Sequence, residues 1–167
     1  MPTSGSDRAP QGFAFLFKSD QGTIGRAIWW RGTLGLALVL GVLSGIWQAL
    51  APHANRTVAA GDRLFDPLAF FAYVYLLCFA LAIMLIGVSH YNLSAKRWRD
   101  RGRMGGLAGL LPLAALLAGA AHWLQPRVSE SMPAFLVTIC DVALLAVLVW
   151  NIIELGTLDR PAKLPGA

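Results

Sequence analysis

Hydrophobic positions in this chain gather into four long blocks separated by short polar or charged stretches. Between Arg31 and Arg56 lie 24 residues without a formal charge, between Asp66 and Lys96 lie 29, and between Arg103 and Arg127 lie 23. A further 23 residues from Ser131 to Ile153 hold a single charge, Asp141. A helix rises about 1.5 Å per residue, so roughly 20 apolar residues cross the ~30 Å hydrocarbon layer of a bilayer. The pattern predicts an all-α polytopic membrane protein with four transmembrane helices near residues 28–50, 67–89, 104–124 and 133–153. They would form one domain over 13–155, after a disordered stretch 1–12 and before a flexible tail 156–167. The apolar run Phe13-Ala-Phe-Leu-Phe17 is too short to span and is expected to lie at the interface ahead of the first helix. Trp29, Trp30, Trp47, Trp123 and Trp150 fall at or near predicted helix ends and Trp98 in a connection, where indole rings favour the membrane interface.

Composition sharpens this picture. Hydrophobic residues make up 56% of the chain and charged residues only 14%, against about 25% charged in an average soluble domain. A soluble enzyme, a nucleic-acid module and a disordered chain are excluded. The net charge of +5 therefore has to be read by side of the membrane. With the N-terminus inside, the inner side holds eleven Lys and Arg residues and the outer side three, Arg56, Arg63 and Arg127. That asymmetry predicts an N-in, C-in topology. Cys78 and Cys140 lie inside apolar runs, so two buried thiols are expected rather than a disulfide framework. The polar first dozen residues carry no secretory signal, and the first span is expected to act as an uncleaved insertion signal.

Helix packing has its own pattern. Thr33, Ala37, Gly41, Gly45 and Ala49 recur every four residues and line one face of the first span with small side chains. That face suits close packing inside the monomer or homodimerisation. Pro112 lies inside the predicted third span and is expected to bend it.

Two places could carry chemistry. In the inner connection, Lys96, Arg97, Arg99, Arg101 and Arg103 stand within eight positions beside Trp98, a density that suits anionic lipid headgroups or serves as the topological retention signal. Asp141 lies eight residues past Pro133, roughly 12 Å into the bilayer, where a carboxylate must be protonated or paired. Tyr73 and Tyr75 enter the second helix from the same side, and a Tyr hydroxyl donating to Asp141 would satisfy it. Ser89 and His122 lie at opposite ends of their helices and form no catalytic dyad, and no Cys/His spacing resembles a metal site. No cofactor and no nucleic-acid partner is expected.

Two sequence blocks carry a family resemblance. Gly22, Ile24, Gly25, Arg26 and Trp30 match a first block of the form G-R-I-G-R-x-x-F-W, and Arg97, Asp100, Gly102, Arg103 and Gly105 match a central block of the form R-L-H-D-x-G-R-S-G-W. On these the chain resembles the bacterial inner-membrane family called domain of unknown function 805. Arg99 stands where the family has His, Met104 where it has Ser, Gly106 where it has Trp and Thr23 where it has Arg. The resemblance covers residues 13–157 and implies a four-helix protein of the bacterial inner membrane, with no settled activity. Both blocks belong to the inner interface, so Arg26 and Asp100 are expected to pair there. The expected function is a non-enzymatic, lipid-contacting or protein-assembling unit with a basic cytoplasmic face. Membrane lipids, a second copy or another membrane protein are its expected partners. The alternative is a small transporter or proton-conducting protein organised around Asp141.

Overall fold

The computed structural model describes residues 12–54, 66–128 and 132–159. Among them there is no strand, and four helical stretches are long and apolar enough to cross a membrane. The protein is thus an all-α, multi-pass membrane protein. A short helix α1 (Phe13–Phe17) precedes α2 (Arg26–Ala54) and α3 (Pro67–Asp100). A 3₁₀ turn (Gly105–Gly109) leads into α4 (Leu110–Leu124), and α5 (Ala134–Asn151) continues into a π-helical turn (Ile152–Thr157).

Local chemistry explains the boundaries. Asp66 caps α3, its carboxylate accepting from the Leu68 N–H at 2.9 Å, and Pro67 occupies the first helical position where no N–H is needed. The helix then runs eleven residues past Ser89, because no Gly or Pro interrupts the sequence until Gly102. There the chain turns with φ of +72°, the Gly102 N–H bonding to Arg99 O at 2.9 Å and the Arg103 N–H to Trp98 O at 2.9 Å. This is a Schellman cap, which needs a left-handed residue and hence glycine. The stretch expected as a connection is therefore mostly helix. Pro112 falls in the first turn of α4, where N–H groups lack intrahelical partners. Upstream of it the span begins as the 3₁₀ turn.

Two compact units divide the chain, one of residues 1–32 with 88–167 and one of residues 33–87. The second unit is the apolar hairpin of α2 and α3. In it the Tyr75 hydroxyl donates to Leu43 O at 2.6 Å, the Tyr73 hydroxyl donates to Ala54 O at 2.8 Å, and the Tyr75 and Phe79 rings stack with centroids 6.0 Å apart. Most of its large side chains point outward, with Leu38 70% exposed, as a lipid-facing surface requires.

The first unit holds the buried core. Ile24, Trp29, Leu93, Ala95, Trp98, Ala108 and Leu155 are buried together, with Phe15, Trp30 and Trp150 packed around them. This core gathers the start of α2, the end of α3, the 3₁₀ turn and the end of α5 at one end of the unit. Trp29 stands near the start of α2 as expected, whereas Trp98 lies within α3 rather than in a connection, and both rings are buried where four chain segments cross. α4 and α5 pack directly against each other. The described residues reach Asp159, and Gly156 and Thr157, expected in the tail, belong to the π-helical turn. The expected disorder at the N-terminus lies, Gly12 apart, outside the described residues, as does the tail from 160 onward.

Candidate functional site

The basic run at the end of α3 forms a knot of hydrogen bonds that ties it to two other segments, residues 16–20 and 154–159. Lys96 is fully buried. Its ammonium donates to Leu16 O at 3.0 Å, to Ser19 O and to Asn92 O at 3.4 Å, which uses all three of its donors, and it sits 4.9 Å from the centre of the Phe15 ring. Arg97, also buried, donates through Nε to Leu155 O at 3.0 Å, through Nη2 to Leu158 O at 2.7 Å and through Nη1 to Asp100. Burying an unpaired cation costs roughly several kcal/mol, so both positions are tolerable because every side-chain nitrogen finds at least one acceptor.

The acceptors are the free carbonyls at two helix ends. Leu155, Gly156, Thr157 and Leu158 end the α5 stretch, and their carbonyls accept from Arg97, from Trp30 Nε1 at 2.9 Å, from Arg26 at 3.0 Å and again from Arg97. Leu16 and Phe17 end α1, and their carbonyls accept from Lys96 and from the Asn92 side chain at 2.8 Å. A helix C-terminus carries partial negative charge and orphan carbonyls, so cationic donors satisfy both at once. Trp29 Nε1 completes the crossing by donating to Ser94 Oγ at 3.1 Å.

Four acids at this end are each matched to one arginine. Asp100 pairs with Arg97, Asp20 with Arg99 at 2.8 Å, Glu154 with Arg101 at 2.9 Å and Asp159 with Arg26 at 3.4 Å. The Arg99 guanidinium, by hydrogen bond first and charge second, holds the Asp20 carboxyl below the usual carboxylate range, against the opposing effect of burial. The expected Arg26–Asp100 pair is thus replaced. Arg97, three residues back on the same helix, takes the Asp100 carboxylate, and Arg26 reaches the α5 end instead.

The five basic residues singled out from sequence divide accordingly. Lys96 and Arg97 are buried, Arg99 and Arg101 are held by Asp20 and Glu154, and only Arg103 is exposed without a partner among the described residues. Lys18 and Arg31 share that state at the same end of the unit. Phe13 and Met104, 70% and 77% exposed, add apolar side chains beside these charges in sequence. Sequence reasoning missed Lys18 and Arg31 as headgroup candidates because they stand alone rather than in a run. It missed Asp20, Glu154 and Asp159 because the positive-inside count ignores acids.

Asp141 has a different partner from the one expected. His122 Nε2 lies 3.0 and 3.1 Å from its two carboxylate oxygens, whereas the Tyr73 and Tyr75 hydroxyls donate to backbone carbonyls within their own hairpin. His122 is the one Asp, Glu, His, Lys or Arg residue of α4, and Asp141 the one of α5. That solitary placement on two consecutive apolar helices was the available signal. Ser94 Oγ lies 3.4 Å from His90 Nε2, but Ser94 is fully buried, so no substrate reaches the hydroxyl. Among the described residues no group of three or more His, Cys, Asp or Glu side chains is placed to hold a metal ion.

Compared with family models, with curated proteins and with solved structures, the chain matches none. Fold and site together define a multi-pass helical membrane protein whose basic end is largely neutralised from within.

Proposed function

We propose that this protein is a non-enzymatic membrane unit that contacts anionic lipid headgroups through a basic cytoplasmic face, and that it belongs to the bacterial inner membrane. One observation supports this reading above others. Eight Lys and Arg residues of the described chain meet four Asp and Glu at the knot end. After the four ion pairs and the burial of Lys96, the cations Lys18, Arg31 and Arg103 remain exposed and unpaired among the described residues. Each near-surface cation contributes about 1 kcal/mol toward an anionic leaflet, and the nearby Phe13 and Met104 side chains suit insertion at the acyl boundary. The two-block resemblance described above supports the inner-membrane placement and the family membership proposed with it.

The test separates free charges from structural ones. Neutralising Lys18 and Arg103 to Gln removes two exposed charges and is expected to weaken retention of phosphatidylglycerol or cardiolipin by about thirtyfold, read by native mass spectrometry. Arg99→Gln with Arg101→Gln removes the same charge from the knot and is expected to lower thermal stability while leaving lipid retention far less affected. Equal retention in wild type and the Lys18/Arg103 variant would end the lipid-contact reading.

A further inference from the structure

The His122–Asp141 pair is the feature that neither the fold nor the knot accounts for. It sits on the α4–α5 hairpin, away from the basic end, and its side chains stay 62% and 47% exposed. Just beyond it, Arg127 lies 4.0 Å from the centre of the Trp123 ring and donates to Trp123 O at 2.5 Å, an amphipathic arrangement that suits the membrane interface. Asp141 itself stands eight residues past Pro133, roughly 12 Å along its helix from the connection. An ionisable pair open to hydrocarbon at that depth is costly, and such groups face a protein interior or another polar surface.

The chemistry of the pair limits what covers it. Only net-neutral states are cheap in an apolar layer, and there are two: imidazolium with carboxylate, or neutral imidazole with carboxylic acid. Both leave the same outward groups, an Nδ1–H donor and a carboxyl oxygen acceptor, since Nε2 is engaged with Asp141. A surface carrying one donor and one acceptor side by side is complementary to its own copy about a two-fold axis. Along the same helix and into its π-helical continuation, Val142, Leu145, Ala146, Val149, Trp150 and Ile153 line an open apolar groove, which extends the contact toward the far end of α5.

We propose that this α4–α5 face is the self-association surface of the protein, a second copy meeting it so that each His122 Nδ1–H donates to the other copy's Asp141. The face is independent of the lipid-contact reading, because the groups involved lie on different elements from Lys18, Arg31 and Arg103.

The experiment uses full-length protein with Cys78 and Cys140 replaced by Ser, reconstituted at low protein-to-lipid ratio. Val142, 61% exposed, is changed to Cys as the probe, and subunits are counted by single-molecule photobleaching in parallel. A cross-linked dimer and two-step bleaching are expected. Replacing His122 and Asp141 together by Leu keeps the spans apolar and is expected to reduce the dimerisation constant about tenfold, two interhelical hydrogen bonds being lost. Exchanging the two residues, His122→Asp with Asp141→His, preserves one donor and one acceptor and is expected to restore the dimer. Single-step bleaching of the parent protein, or a dimer fraction that the double Leu variant leaves unchanged, would overturn the proposal. Failure of the exchanged pair to recover what the Leu variant loses would equally overturn its hydrogen-bonded form.

Discussion

Gly156 is the point at which the crossing of segments leaves least room. A methyl group added there would lie 2.7 Å from Trp30 Cζ2 and 3.2 Å from Trp29 Cζ3, while the Gly156 carbonyl accepts from the Trp30 indole. Two ring systems held by hydrogen bonds and buried packing yield little, so Gly156→Ala overpacks the core. A loss of about 1–3 kcal/mol is expected, read as a lowered unfolding temperature in detergent. Gly119→Ala, where an added methyl meets nothing within 4 Å, is the matched control and should cost nothing. Their difference is not visible in the sequence, where neither glycine stands in a recognisable turn or motif. Only the approach of Trp30 from 126 residues away separates them. The identity of Asp141's partner was hidden for the same reason. His122 and Asp141 were each legible as the one Asp, Glu, His, Lys or Arg of an apolar helix, but depth arithmetic alone does not decide which neighbouring helix faces which.

At the scale of elements, the four spans were legible because uninterrupted apolar length is a strong signal, and the structure moves their ends by a few residues in α2, α4 and α5. The end of α3 was not. Lys96, Arg97, Arg99 and Arg101 read as a solvated connection because charge is normally a surface property, yet here α3 continues as a helix through Asp100 and buries Lys96 and Arg97. What made that possible lies elsewhere in the chain, in the carbonyls at the ends of α1 and α5 that no local pattern announces. The helical reading has a direct test. Ala95→Pro removes a backbone donor inside a buried helix and is expected to destabilise by about 3 kcal/mol or more. Met104→Pro, at a φ of −65° that proline shares, is expected to change stability by less than about 1 kcal/mol. Similar losses from both, measured by thermal unfolding, would mean that the segment around Ala95 behaves as a loop.

For the whole molecule, the internal neutralisation of the knot raises the question of how the chain still orients itself. Lys and Arg act on topology while the spans insert, and Asp and Glu contribute little to that decision. The Asp20–Arg99, Glu154–Arg101 and Asp159–Arg26 pairs each join distant segments of the chain, so each forms only once both of its segments are present. Arginines that later pair with Asp20, Glu154 and Asp159 are therefore still free to act as retention signals for their segments during insertion. The start of α2, the end of α3 and the end of α5 meet in one core, so a single side must hold all three. The N-in, C-in orientation proposed on this basis puts Arg103 inside and Val128, beyond α4, outside. With the native cysteines replaced by Ser, an impermeant thiol reagent applied to intact cells is expected to label Val128→Cys at once. Arg103→Cys should be labelled only after the membrane is opened. Both positions are exposed, so protection of Arg103→Cys reflects the membrane barrier rather than burial. Labelling of Arg103→Cys from outside would reverse the orientation and place the cations proposed to contact lipid on the opposite leaflet.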